Sequence, residues 1–145
     1  MKIWLAAALC AWTLTAAAQT AATEQLYVDA ATVAAGRQVD PKGPEVKQMA
    51  KYLKAISAAY NVTEANAVQT ASAGMNILRP RVPGTNLFEL LDAAQRLAPS
   101  EHGHDRAALV HALTTYIAAR SQGVDTSHEE AIKIVTDINN KPAPK

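Results

Sequence analysis

The densest group of potential metal ligands in this chain is the run Glu101-His102-Gly103-His104-Asp105, followed by His111 about two turns along a helix and by His128. Zinc or copper needs deprotonated nitrogen, oxygen or sulfur ligands converging on one point. A His-x-His pair on a loop can chelate while Gly103 lets the backbone bend. The spacing matches no established signature, so weak metal binding through His102 and His104 stands as an alternative function, with no metal ligand and no cofactor assigned. Asp105 already has a role as a helix cap. His111 flanks the apolar stripe of its helix, the place of a hydrogen-bonded core histidine.

Two arginines form a second group. Arg79 and Arg81 sit in Arg79-Pro80-Arg81-Val82-Pro83-Gly84, where two prolines remove backbone donors and push the preceding residues into extended geometry. Such a loop can hold two forked guanidinium groups that match carboxylate or phosphate. The competing role is local: cations just past a helix complement its carboxyl end. The helix before this loop presents Asn66, Gln69, Asn76 and, offset, Thr70 at helical spacing, with Glu64 as its only charge. Neutral amides suit a semi-buried interface because they lose less hydration than charges and carry both donor and acceptor. Arg79, Arg81, Asn66, Gln69 and Asn76 are therefore the candidate partner-binding surface. Lys47, Lys51 and Lys54 form a stripe opposite an apolar face, which is the solvated side of an amphipathic helix.

Catalytic patterns are missing. There is no Gly-x-Ser-x-Gly elbow, His-Glu-x-x-His pair or glycine-rich phosphate loop. Glu129 and Glu130 sit at a helix start, where the dipole favours them. Ser100, His102 and Asp105 share one polar loop, which cannot hold the geometry of a nucleophilic triad. The expectation is a protein that is not an enzyme.

The elements that position these groups read as alanine-rich helices. Alternating β-branched and aromatic strand patterns do not occur. A weak first helix is predicted from about Thr23 to Ala35, with Leu26 and Val33, stopped by Gly36. Pro44 suits the first position of a second, whose Val46, Met49, Ala50, Leu53, Ile56 and Tyr60 recur at three and four residues. Asn61 can end it left-handed, and Thr63 can cap a third helix running to about Leu78. Asn86 with Glu89 makes a capping box for a fourth carrying Leu87, Leu90, Leu91, Ala94 and Leu97, with Phe88 in the core. Asp105 opens a fifth with Leu109, Ala112, Leu113, Tyr116 and Ile117 facing inward. Ser127 with Glu130 caps a sixth, which places Ala131, Ile134, Val135 and Ile138 on one side. The fold expected is all-α, a small helical bundle or orthogonal array of five to six helices.

Residues 1–18 read as a cleaved signal peptide: Lys2, an apolar run from Ile3, then Ala16-Ala17-Ala18 before Gln19. The run is too short for a spanning anchor, and Leu9 before Cys10 argues against lipidation. A single helical domain over 19–140 and a disordered tail over 141–145 complete the division. Of 14 basic groups, Lys2 lies in the leader, so the remaining chain balances its 13 acidic groups. That neutrality argues against a nucleic-acid partner. These features describe an exported, periplasmic or secreted domain that binds a protein partner or itself, such as an envelope adaptor, accessory subunit or inhibitor. Stable membrane insertion after leader removal is not expected. The other alternative is a bundle enclosing a small apolar ligand near Met49, Met75 and Leu78.

Overall fold

The computed structural model describes residues 5–99, 105–122 and 126–140, with side-chain environments from residue 19 onward. Six helices make up the regular structure of these residues: α1 (Leu5–Ala35), α2 (Pro44–Tyr60), α3 (Glu64–Leu78), α4 (Leu87–Arg96), α5 (Arg106–Arg120) and α6 (His128–Asn139). No strand occurs among them, so the chain is all-α as anticipated. His102, His104 and the rest of 100–104, together with Gly123 and the tail 141–145, lie outside the described residues.

Local chemistry sets the helix starts. Thr63 accepts from the Asn66 N–H, Asn86 from Glu89, Asp105 from Ala108 and Ser127 from Glu130, each at 3.0–3.2 Å. Each cap satisfies a donor that the first turn leaves without an intrahelical partner, worth about 1 kcal/mol. The stops follow the same logic. Asn61 adopts φ 49°, ψ 46° after α2, and Gly36 has φ 64° after α1. The left-handed region tolerates Gly and Asn far better than branched side chains.

Three expectations need correction. The first helix begins at Leu5, not near Thr23, because the alanine-rich stretch before it has high helix propensity and no Gly or Pro to interrupt it. Its buried face is Tyr27, Ala30, Ala31 and Ala34, while Val33 points outward at 52% exposure. In α6 the buried residues are Ala131, Ile132 and Val135, with Ile138 52% exposed. Four aliphatics spread around that helix permit two overlapping stripes, and the neighbouring helices select one.

The organising element is the shortest helix. α4 touches all five others, and Leu87, Leu90, Leu91, Ala93 and Ala94 are fully buried on it. Tyr60 ties α2 to it by donating to the Ala94 carbonyl at 2.9 Å, with burial pushing the phenol up to about 12. Phe88 is partly buried against the core, its ring 6.3 Å from that of Tyr52. α3 crosses close to α4 and α5 at Gly74, where an added Cβ would meet Ile117 Cδ1 at 3.1 Å and Leu90 Cδ1 at 3.5 Å. Small residues at that crossing turn one face of α3 into the core and leave the opposite face outward.

Candidate functional site

The outer face of α3 is where the sequence placed a partner. Gln69, Ala73, Asn76 and Ile77 are exposed at i, i+4, i+7 and i+8, one side of the helix. Asn66 begins the same side, half-buried, and its carbonyl accepts from the Thr70 hydroxyl at 2.8 Å. Ile77 is 58% exposed, a branched aliphatic side chain left in water among amides. Ala67, Ala71, Gly74, Met75 and Leu78 line the opposite, buried side. Arg79 and Arg81 follow directly and are exposed. Arg79 leans its guanidinium onto Met75 Sδ at 3.2 Å, while the Arg81 N–H closes a turn on the Leu78 carbonyl at 2.9 Å. Asn66, Gln69 and Asn76 thus share one side of α3 with Ala73 and Ile77, whereas Arg79 and Arg81 stand exposed beyond its end, with Arg79 against Met75 of the buried side.

A second polar region was not anticipated as a unit. It lies where α2, α4, α5 and α6 meet. Tyr52 donates to Asp92 Oδ1 at 3.0 Å, and His128 Nε2 meets Asp92 Oδ2 at 2.9 Å. The other ring nitrogen, Nδ1, is 2.8 Å from the Tyr116 hydroxyl, which is 2.6 Å from Glu89 Oε1. Both Tyr116 contacts are hydrogen bonds at once only when Nδ1 carries a proton, because the phenol supplies one. Arg120 Nε donates to the same Glu89 oxygen at 3.0 Å, and its Nη1 donates to the Thr126 carbonyl. At the outer edge Arg96 pairs with Glu129 through two bonds of 2.6 and 2.9 Å and approaches Asp92 at 3.5 Å.

Electrostatics follow the geometry. Burial alone would raise the Asp92 carboxyl. Hydrogen bonds from His128 and Tyr52, with the His128 and Arg96 charges, hold it below the usual carboxylate range. The Tyr116 phenol is pushed far up, first by burial and then by the Glu89 carboxylate. A buried phenol with so little tendency to ionise serves as a donor. Both nitrogens of His128 meet protein partners and Tyr116 is fully buried, so the arrangement binds four helices to one another.

Signals for this network were present but scattered. Glu89, Asp92 and Arg96 recur down one side of α4, and Tyr116 stands in an apolar stripe where its hydroxyl needs a partner. Glu89 supplies its backbone N–H to the Asn86 cap, while its carboxylate serves Tyr116 and Arg120, so the anticipated box acts across helices. His128, grouped by sequence with the histidine loop, belongs here. His111 is exposed, not in the core, because it falls on the solvent side of α5. It borders an open cleft of about 640 Å³ between the end of α4, α5 and α6, with Arg96, Leu97, Val135 and Asn139 also at its wall.

Met49, Met75 and Leu78 are packed into the core. Among the described residues no three His, Cys, Asp or Glu side chains are grouped to hold a metal ion, and no helix is long and apolar enough to cross a membrane. The lysine stripe of α2 is exposed, with Lys54 Nζ 5.9 Å from the ring centre of Tyr27. No protein-family model, curated protein or solved structure matches this chain.

Proposed function

We propose that this is an exported helical domain that works by binding another protein chain through the outer face of α3 and the arginines that follow it, and not by catalysis. The observation that carries this reading is Ile77, 58% exposed on a helix face whose other outward groups are amides and alanine. A large aliphatic group in water gains free energy when covered, and amides beside it can pair with a partner at low desolvation cost. Arg79 and Arg81 add forked donors at the rim, where arginine is enriched in interfaces. The leader pattern of residues 1–18 supports export.

The test is affinity capture on the immobilised protein, comparing wild type with Ile77→Lys and with Lys47→Ala/Lys51→Ala as a surface control. A stoichiometric protein partner retained by the control and lost with Ile77→Lys is expected. Binding indifferent to Ile77, Gln69, Asn76, Arg79 and Arg81 would remove this surface from consideration. Turnover of a substrate that is abolished by one substitution would overturn the non-catalytic reading.

A further inference from the structure

Removal of the leader after Ala16-Ala17-Ala18 makes Gln19 the first residue and turns its backbone nitrogen from an amide into a primary amine. The side chain of that residue carries a carboxamide at a telling distance. Between the amine and the side-chain Cδ stand only Cα, Cβ and Cγ, so a bond from N to Cδ closes a five-membered ring. Holding nucleophile and electrophile on one residue makes the reaction unimolecular, which removes the entropy of bringing two molecules together.

The local structure leaves Gln19 open to this closure. Its side chain is exposed on α1, and no hydrogen bond holds its amide among the described residues. Its main-chain carbonyl is tied down, accepting from the Thr23 hydroxyl at 3.0 Å. With Ala22, Thr23 and Leu26, Gln19 borders a shallow groove against Thr63, Glu64 and Ala65 at the start of α3. Every ring atom belongs to Gln19 and the main-chain carbonyl lies outside the ring. Closure therefore keeps the Thr23 bond and asks nothing of the helix from Thr20 onward.

We propose that Gln19 is a modification site: once the leader is gone, its α-amine attacks the side-chain Cδ, the Cδ–Nε2 bond breaks, and ammonia leaves behind a ring lactam. The amine gives one proton to the departing nitrogen, so no oxidant, reductant or second reactant is needed. This rests on the export reading above and goes beyond the binding one. The product has no terminal charge. A free ammonium would stand at the amino end of α1, where unpaired N–H groups and the positive pole of the helix dipole already repel a cation, so its loss favours the helix. The lactam also denies an aminopeptidase its free amine, which preserves the turns of α1 that border α3.

Intact-mass spectrometry of the chain recovered from the exported fraction of producing cells reads the cut and the ring together. A chain of residues 19–145 lighter by one ammonia is expected. Freshly recovered chain should approach that mass at neutral pH with a rate independent of protein concentration, and stepwise sequencing from its amino end should become blocked. Gln19→Ala should be cut at the same bond, keep its full mass and sequence normally. A wild-type chain that starts at Gln19 and keeps its amine on prolonged incubation overturns the inference and leaves export in place. Ammonia loss that persists in Gln19→Ala belongs to another residue and overturns it likewise. A cut at a different bond overturns the inference alone, whereas an exported-fraction chain that retains residues 1–18 overturns both it and the reading of a cleaved leader.

Discussion

The polar groups of this protein fall into two regions used in opposite ways. At the junction of α2, α4, α5 and α6, charged and phenolic side chains are matched to one another, from Tyr52 through Asp92, His128, Tyr116 and Glu89 to Arg120. On the outer face of α3, neutral amides and one isoleucine stand in water. Partners within the fold turn polar groups into constraints on how helices dock. Without them, the same kind of groups remain available to another molecule. Stability should therefore depend on the first region and association on the second.

The sharpest way to break that contrast is Glu89→Ala. It removes the carboxylate to which both the Tyr116 hydroxyl and the Arg120 Nε donate, leaving the Arg120 charge, on a side chain only 14% exposed, without its counter-ion. Removing one partner of a largely buried pair leaves the other's desolvation uncompensated, so a loss of about 2–3 kcal/mol is expected in urea unfolding. A change below about 0.5 kcal/mol, the range of ordinary surface substitutions, would mean that the network is ornamental.

Acid should act next, through the same junction. The carboxyl of Asp92 is held low in the folded state, and that of Glu129 likewise by its bond to Arg96. A carboxyl depressed on folding contributes stability above its unfolded value near 4, and that contribution disappears as pH falls through the folded value. Melting temperature should thus hold from pH 7 to about 5 and drop below about 4. Asp92→Asn should flatten the acid limb. An unaltered limb in that variant would assign the acid sensitivity to other groups.

A smaller effect is expected from Tyr116→Phe, which removes one hydroxyl and leaves Glu89 bonded to Arg120. About 1–2 kcal/mol should be lost, since the hydroxyl contacts both Glu89 and His128. The nitrogen chemical shifts of the His128 ring should move at the same time, because Nδ1 loses its neighbour. Unmoved shifts would show that the contact does not exist in solution.

Smallest in stability are changes on the other region. Gln69→Ala, Asn76→Ala and Ile77→Lys should each alter unfolding free energy by no more than about 0.5 kcal/mol, as exposed sites do. Their effect should appear in association alone. A loss of several kcal/mol from Ile77→Lys would place that side chain in the fold's own packing and erase the distinction between the regions.

Much of this was legible from residue order because it is local. Thr63, Asn86, Asp105 and Ser127 cap, and Asn61 stops α2, through groups within three or four residues of each other. The neutral face of α3 was equally legible, since helical period alone brings Asn66, Gln69 and Asn76 to one side. The sequence determined six helices, their caps and that face. Only tertiary structure decided which side of α6 is buried, that Ile138 faces water, and that Asp92 meets Tyr52 and His128 across 40 and 36 residues. The reason is that helix period fixes angular position about an axis, whereas the partner of a carboxylate depends on how axes dock. Docking is selected by the packing of apolar faces around α4.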